Sequence, residues 1–185
     1  RTFVLSQDDK PTAVAHFQHL FRKFSGQEGS NQNQYRKDEE SIVRYGLALA
    51  LKETGNWRQA RTVLEPLLNQ MQGKIPYLLL DIEIDIGSGN IQPALRRLRD
   101  LYALTPTSYP IGMLLAETAV KNKDYASAEK VLQQLAEARP KQSDIWYLLA
   151  EVNGLNGNII ALHQSRAEFF LLRGNFKPVS YTHLT

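Results

Sequence analysis

The 185-residue sequence contains no cysteine, which excludes a disulfide-stapled scaffold, a thiolate zinc site and thiol catalysis. Its apolar runs, such as residues 77–80 and 169–172, are far shorter than the roughly 20 residues that a membrane-spanning helix requires. The sequence also lacks a large excess of either charge, since it has 22 lysines and arginines and 19 acidic residues. A net charge of +3 does not indicate nucleic-acid binding. The chain starts at Arg1 without a methionine or an apolar leader, so we expect a fragment of a longer protein.

What the sequence does contain is one short motif that recurs every 34 residues. The four copies are Gly55-Asn56-Trp57, Gly89-Asn90-Ile91, Lys123-Asp124-Tyr125 and Gly157-Asn158-Ile159. Glycine permits the left-handed backbone that ends one helix, and the adjacent Asn or Asp caps the first amides of the next. Each copy therefore predicts a tight turn between two antiparallel helices.

Apolar residues keep the same period on both sides of each turn. Before the turn the series is Ala48, Ile82, Ala116 and Ala150, and after it come Ala60, Ala94, Ala128 and Leu162, then Leu64, Leu98, Leu132 and Arg166. Small side chains let two helix axes approach to about 8 to 10 Å, and the leucines continue the buried stripe. The fourth copy departs from the pattern at its last two positions. Prolines 34 residues apart mark helix boundaries: Pro76 with Pro110, and Pro106 with Pro140.

One segment has a conflicting pattern, because Ile82, Ile84 and Ile86 alternate with acidic residues as they would in a strand. The neighbouring residues favour a helix, since Leu78, Ile82 and Ile86 also recur every four residues. We therefore predict a helix here.

The motif and its flanking residues resemble the tetratricopeptide pattern, with Trp146 and Leu149-Ala150 where that family has its Trp and Leu-Gly. This resemblance implies an all-α fold, a tetratricopeptide-type helical solenoid of antiparallel helix pairs stacked in a right-handed superhelix. Three longer segments resemble the C-terminal repeat domain of the periplasmic M48-type zinc metalloproteases that enhance β-barrel assembly. They are RYGLALALKETGNWRQARTVLEPLL from Arg44, YLLLDIEIDIGSGN from Tyr77 and LLAEVNGLNGN from Leu148.

The resemblance implies a periplasmic protein-interaction scaffold whose partners are the barrel assembly machinery, outer-membrane barrel clients and its own protease domain. Zinc belongs to the protease domain of that family. This chain has no H-E-x-x-H, so we predict that it is not an enzyme by itself and holds no cofactor. Two alternatives stay open. In the first alternative, the chain is a generic tetratricopeptide scaffold of another assembly. In the second, it is an intramolecular regulator that covers the protease cleft.

Along the chain we predict four parts. Residues 1–24 hold the N-terminal helix of a truncated repeat, 25–34 a flexible loop and 35–176 the repeat domain. Residues 177–185 are an irregular tail, for which truncation and a non-native junction are the two alternatives. Three full helix pairs are expected over about 36–72, 75–106 and 109–140. Gly174-Asn175-Phe176 repeats the motif after only 17 residues, so the helix before it serves two repeat frames at once.

Few side chains have the spacing of a metal site or a catalytic site. His16 and His19 are three residues apart on one helix, but without a nearby third ligand we assign them a surface or structural role rather than a metal site. Asp81 and Asp85 have the spacing of a cation or proton-sharing pair, yet we favour a helix surface or inter-repeat hydrogen bonds, with Arg96, Arg97 or Arg99 as partners. No catalytic or metal residue is predicted.

A binding groove is the stronger hypothesis, because the first helices of each pair line the concave face in solenoids of this family. Superposing the repeats aligns one mostly apolar column and one largely acidic column, which would suit a segment with apolar anchors and basic residues. The alternative is that these side chains are inter-repeat packing and solvated surface. The apolar column is Tyr45, Leu79, Met113 and Tyr147, and its neighbour is Leu49, Glu83, Glu117 and Glu151.

Overall fold

The computed structural model describes residues 10–25 and 34–174, and every regular element within those ranges is an α-helix. The predicted all-α fold is confirmed, and the three predicted helix pairs begin and end within two residues of the expected positions. The helices are α1 Lys10–Ser25, α2 Gln34–Glu53, α3 Trp57–Gln70, α4 Ile75–Gly87, α5 Ile91–Leu104, α6 Tyr109–Lys121, α7 Tyr125–Ala138, α8 Ser143–Leu155 and α9 Ile159–Leu172.

Two predicted segments fall largely or wholly outside the described residues. Of the predicted loop, Ser25 is the last residue of α1 and Gln34 is the first residue of α2, and residues 26–33 lie outside the described ranges. Residues 175–185, which include the whole predicted tail, lie outside them as well. By internal contacts the chain divides into two compact units, Arg1–Ala94 and Leu95–Thr185, with the boundary inside α5. No helix in the described part of the chain is long and apolar enough to cross a membrane.

The turn chemistry recurs in all four copies of the motif. In each turn the backbone amide of the Asn or Asp donates to the carbonyl five residues earlier, at 2.8 to 2.9 Å, which satisfies a carbonyl at the end of the first helix. Side-chain capping is less regular than predicted. Asp124 and Asn158 accept from the amides of Ser127 and Ala161, both at 3.2 Å, whereas the Asn56 side chain makes no capping bond and donates to Thr54 Oγ1 instead.

Left-handed backbone at the residue before each Asn or Asp is the feature that glycine supplies. Gly55, Gly89 and Gly157 have φ values of +76°, +91° and +75°, and Lys123 is held at +60° in the same place. A side chain with a Cβ is strained there by about 1 to 2 kcal/mol. The third turn is therefore the strained copy of the motif.

Replacing Lys123 with glycine is expected to raise the free energy of unfolding by about 1 kcal/mol. The substitution relieves the strained backbone conformation and removes only an exposed side chain. The mirror substitution, Gly157→Lys, is the matched control and should lower stability by a similar amount. Urea denaturation of both variants provides the measurement. A loss of stability in Lys123→Gly would contradict this explanation.

In the first unit, small residues set the distance between α2 and α3. Ala48 and Ala60 have no exposed surface, and Leu64 and Leu67 fill the core beside them. On the other side of α2, α1 packs its Phe17 ring directly on Gly46. A Cβ at this glycine would stand 2.3 Å from a ring carbon, so the close approach of α1 depends on the missing side chain.

The segment with the alternating isoleucines is α4, so the helix prediction is confirmed. All three isoleucines are buried, and Asp81 and Asp85 are buried among them. Asp85 accepts a hydrogen bond from Arg61 on α3, whose guanidinium also lies 4.0 Å from Asp81. Hydrogen bonding to Asp85 raises the pKa of Arg61 and outweighs the effect of its burial.

Arg61 was not among the predicted partners of these aspartates. Because α3 packs directly on α4, it brings its cation to the carboxylates from the preceding helix. Arg99, which was named as a candidate, lies 3.0 Å from Asp124 at the start of α7. The prediction of an inter-repeat hydrogen bond is confirmed for Asp85, with Arg61 as a partner that was not predicted, and the alternative of an exposed helix surface is wrong because both aspartates are buried.

The second unit repeats the architecture with α6 to α9. Ala116 and Ala128 have no exposed surface where α6 and α7 cross. The next helix, α8, contacts α7, and its Asp144 accepts a hydrogen bond from the Tyr109 hydroxyl of α6. Burial together with Asp144 raises the pKa of Tyr109 to about 12, so this hydroxyl remains a donor at neutral pH. Helix α8 therefore packs against α7 and is tied to α6 by this hydrogen bond.

Candidate protein-binding cleft

Four of the eight predicted groove residues lie in the first unit, and the structure does not present them as one open surface. Leu49 and Leu79 are 1% and 5% exposed, so they pack in the interior and cannot contact a partner, which corrects the prediction for both. Tyr45 is half-buried, with its ring centroid 5.5 Å from that of Tyr77 on α4. Glu83 accepts from Lys52 at 2.8 Å.

The reason for this correction is the helix that follows. Helix α4 packs against both α2 and α3, so a column read along the first helices passes through residues that the next pair covers. Superposing repeat frames identifies positions of equal geometry, but equal geometry does not give equal exposure. The number of neighbours around each copy decides whether a position is surface or core.

The other four predicted residues lie in the second unit. Met113 is half-buried on α6, and Glu117 is exposed on the same helix. Tyr147 is 59% exposed, and Glu151, one helical turn further along α8, is exposed as well. This last pair forms part of a real concavity, whose other wall is α9.

The concavity is an open cleft of about 380 Å³ between α8 and α9. Its walls are predominantly apolar and aromatic, with one acidic and one basic side chain. The Tyr147 ring lies 5.5 Å from Phe169, and Phe169 lies 5.4 Å from Phe170, measured between ring centroids. The lining residues are Tyr147, Ala150, Glu151, Gly154, Leu155, Leu162, Arg166, Phe169 and Phe170. We call this surface the α8–α9 cleft.

Sequence reasoning placed Tyr147 and Glu151 on a binding surface but missed the wall that α9 contributes. The available signal was the departure of the fourth copy from the repeat. Leu162 and Arg166 stand where Ala128 and Leu132 are fully buried. A basic residue in the frame of a core leucine indicates a surface, because a charged side chain is rarely buried without a partner.

Beside the cleft, α8 and α9 share a buried polar pair. Asn153 is 1% exposed and donates from Nδ2 to Ser165 Oγ at 3.2 Å, while its Oδ1 has no hydrogen-bond partner in the described structure. The same two positions of the third pair carry Ala119 and Val131. An unsatisfied buried acceptor costs about 1 to 3 kcal/mol.

The double variant Asn153→Ala/Ser165→Val copies the third pair and is expected to be as stable as the wild type or about 1 kcal/mol more stable. Ser165→Val alone is the control, and it should lose about 1 to 2 kcal/mol because it leaves the whole Asn153 amide buried without a partner. Guanidinium unfolding curves compare the three proteins. Equal destabilisation of both variants would contradict the prediction.

The two histidines with the spacing of metal ligands belong to α1 of the first unit. His16 and His19 are exposed on α1, and the described residues contain no group of three or more His, Cys, Asp or Glu placed to hold a metal ion. The chemistry that the α8–α9 cleft offers is apolar and aromatic contact with two flanking charges. Such a surface suits the binding of a protein segment.

Comparison with known families agrees with the helix-pair architecture. Models described as the tetratricopeptide repeat match residues 85–152 and 43–70, together just over half of the chain. The chain belongs to the tetratricopeptide-repeat family. Solved structures of MamA match with low sequence identity and therefore support the fold alone. MamA 41-end from Desulfovibrio magneticus RS-1 aligns with a TM-score of 0.63 and 13% identity over 93% of this chain and 99% of that one. MamA AMB-1 aligns with a TM-score of 0.62 and 11% identity over 91% and 92%.

Among curated proteins, this tetratricopeptide chain is similar to the Beta-barrel assembly-enhancing protease of Yersinia pestis, with 30% identity over 136 residues. The protein of the same name from Escherichia coli (strain K12) is 28% identical over 136 residues. Both alignments cover 74% of this chain, which spans only 28% of the length of either relative. The predicted resemblance to these proteases is confirmed for this part of their length.

Proposed function

We propose that this tetratricopeptide chain is a periplasmic scaffold that recruits outer-membrane barrel proteins, or the machinery that assembles them, to a zinc protease domain. The coarser property, a repeat scaffold for protein interaction, follows from the family. The choice of partner is supported by similarity to two proteases named for enhancing β-barrel assembly. Because the alignment covers about a quarter of those proteins, their activity and partners are part of the proposal.

The observation that carries the proposal is the exposed aromatic surface of the α8–α9 cleft. Tyr147 and Phe170 are 59% and 44% exposed, although aromatic side chains of this size normally bury most of their surface. Exposed aromatic clusters bordered by charged residues are typical of protein-binding surfaces. Glu151 and Arg166 provide such a border here.

Recruitment is tested with three purified proteins: this chain, the protease domain of the Escherichia coli relative, and the barrel assembly complex. We expect saturable binding of the chain to the assembly complex by biolayer interferometry, and its presence should accelerate cleavage of an unfolded barrel protein but not of a short peptide. If the chain bound neither the assembly complex nor the unfolded barrel protein, the proposal would be overturned. If the chain instead inhibits peptide cleavage, it covers the protease cleft and acts as a regulator.

A further inference from the structure

The α8–α9 cleft occupies the place that a helix of this chain fills one repeat earlier. Between α6 and α7, the equivalent positions Ala116, Leu132 and Leu135 have no exposed surface, and α8 packs against α7 and is hydrogen-bonded to α6 through Asp144. In the last pair their counterparts include Arg166, which is exposed, and Phe169, which is half-buried. No described helix covers this last groove, so it has the shape of a helix-binding site without the helix.

The dimensions of the cleft fit one short helix. Its lining runs from Tyr147 to Leu155 along α8 and from Leu162 to Phe170 along α9. At 1.5 Å per residue, eight steps along either wall span about 12 Å, or slightly more than two helical turns. Apolar side chains at positions i, i+3, i+4 and i+7 of an amphipathic helix would occupy that length.

The charges of the cleft restrict what that helix carries. Arg166 replaces a fully buried leucine of the preceding pair, and among the described residues it forms no ion pair. Arg173, at the end of α9, lies with its guanidinium 5.5 Å from the Phe169 ring and adds a second positive charge near this wall. The acidic residue of the cleft, Glu151, lies on the opposite wall, α8, and is exposed. A helix laid against α9 therefore needs a carboxylate at the edge of its apolar face, because covering an arginine without a partner is costly.

Residues 173–185, which follow α9 in the printed sequence, do not supply this group. Residues 175–185 contain Lys177 and His183 but no aspartate or glutamate. The charge complementarity therefore favours a helix from another protein over the adjoining segment of this chain.

From this geometry we propose that the α8–α9 cleft binds one amphipathic helix of a partner protein, with an Asp or Glu beside its apolar face paired with Arg166. The inference rests on the proposed scaffold function and specifies the kind of segment that is recognised. In the bound state the partner helix takes the position that α8 takes over α6 and α7, and Tyr147 and Phe169 contact its apolar residues. Arg166 then selects between helices that are equally apolar.

The test uses the full chain and two synthetic peptides of 13 residues, the length of α8. Both carry leucines at i, i+3, i+4 and i+7 and a covalent staple on the opposite face, because an unconstrained peptide of this length is barely helical. They differ only in having Glu or Lys beside the leucines. Fluorescence anisotropy of labelled peptides gives the two dissociation constants.

We expect the Glu peptide to bind the wild-type chain at least tenfold more tightly than the Lys peptide, and Arg166→Glu to reverse that preference. Lys130→Glu, which makes the same charge change at an exposed site on α7, is the control and should leave the ratio unchanged. Circular dichroism melting confirms that each variant is folded. Absence of saturable binding, or a preference that Arg166→Glu does not alter, would overturn the inference.

The remaining occupants are tested with a photo-cross-linking amino acid at Phe170 of the full chain. Without peptide, we expect no intramolecular adduct to residues 175–185 and no cross-linked dimer, whereas the Glu peptide should form an adduct. Either of the first two products would show that the chain itself or a second copy fills the cleft, and would overturn the inference. Failure of the peptide test while the barrel assembly complex still binds would leave the scaffold function intact and reject only this site.

Discussion

Replacing Leu132 with alanine is expected to lower the free energy of unfolding by about 3 kcal/mol, because the leucine has no exposed surface in the α6–α7 groove. Its counterpart one repeat later, Arg166, is exposed, and Arg166→Ala should change stability by less than about 0.5 kcal/mol. Two positions with the same place in the repeat thus have opposite energetic roles. Chemical denaturation of both variants, followed by far-ultraviolet circular dichroism, measures the difference.

This comparison separates two effects on stability: burial by the helix that follows, and the position of the residue in the repeat. Leu98→Ala adds a third point, since Leu98 is also fully buried and should resemble Leu132→Ala with a loss of about 3 kcal/mol. If Arg166→Ala proved as destabilising as Leu132→Ala, the last groove would be filled in the native chain and the α8–α9 cleft would not exist in solution.

The second large effect concerns binding. Tyr147→Ala is expected to weaken binding to the barrel assembly complex by about 30-fold or more, which corresponds to an interface hot spot of roughly 2 kcal/mol. The reason is that Tyr147 lines the cleft with 59% of its surface exposed and therefore available to a partner. Biolayer interferometry with the purified complex measures the affinity, and thermal melting checks that the variant remains folded.

Ile160→Ala is the matched control for this prediction. Ile160 is 75% exposed on α9, but it does not line the cleft, so its replacement should leave the affinity within about twofold. Equal losses in the two variants would indicate a general effect of removing exposed apolar surface. An unchanged affinity for Tyr147→Ala would exclude the cleft as the main contact with this partner.

The fold was predictable because the turn motif and the small residues at the helix–helix contacts recur with the same 34-residue spacing. The amide of each Asn or Asp closes its turn on the carbonyl five residues earlier, and the alanines at 48, 60, 116 and 128 are fully buried, as their small size predicted. These features depend on residues close in sequence. Local turn geometry and helical periodicity were therefore sufficient to place the helices.

The candidate binding surface was only partly predictable, because the exposure of a residue depends on the helix that follows and not only on its position in the repeat. Leu49 and Glu151 occupy equivalent positions, yet the first is 1% exposed within the core and the second lines an open cleft. Arg61 was missed as a partner of Asp85 for a similar reason, since the packing of α3 on α4 determines which cation arrives. The α9 wall was readable only as a departure from the repeat at Leu162 and Arg166.

The central claim, that this chain is a protein-binding scaffold acting through the α8–α9 cleft, is tested most directly by site-specific photo-cross-linking to the purified barrel assembly complex. The cross-linking residue is placed at Tyr147 and, as a control, at Glu65, which is exposed on α3 in the first unit. The account predicts adducts with a component of the complex from Tyr147 and none from Glu65. Adducts from Glu65 alone, or from neither position while the complex is still bound, would contradict it.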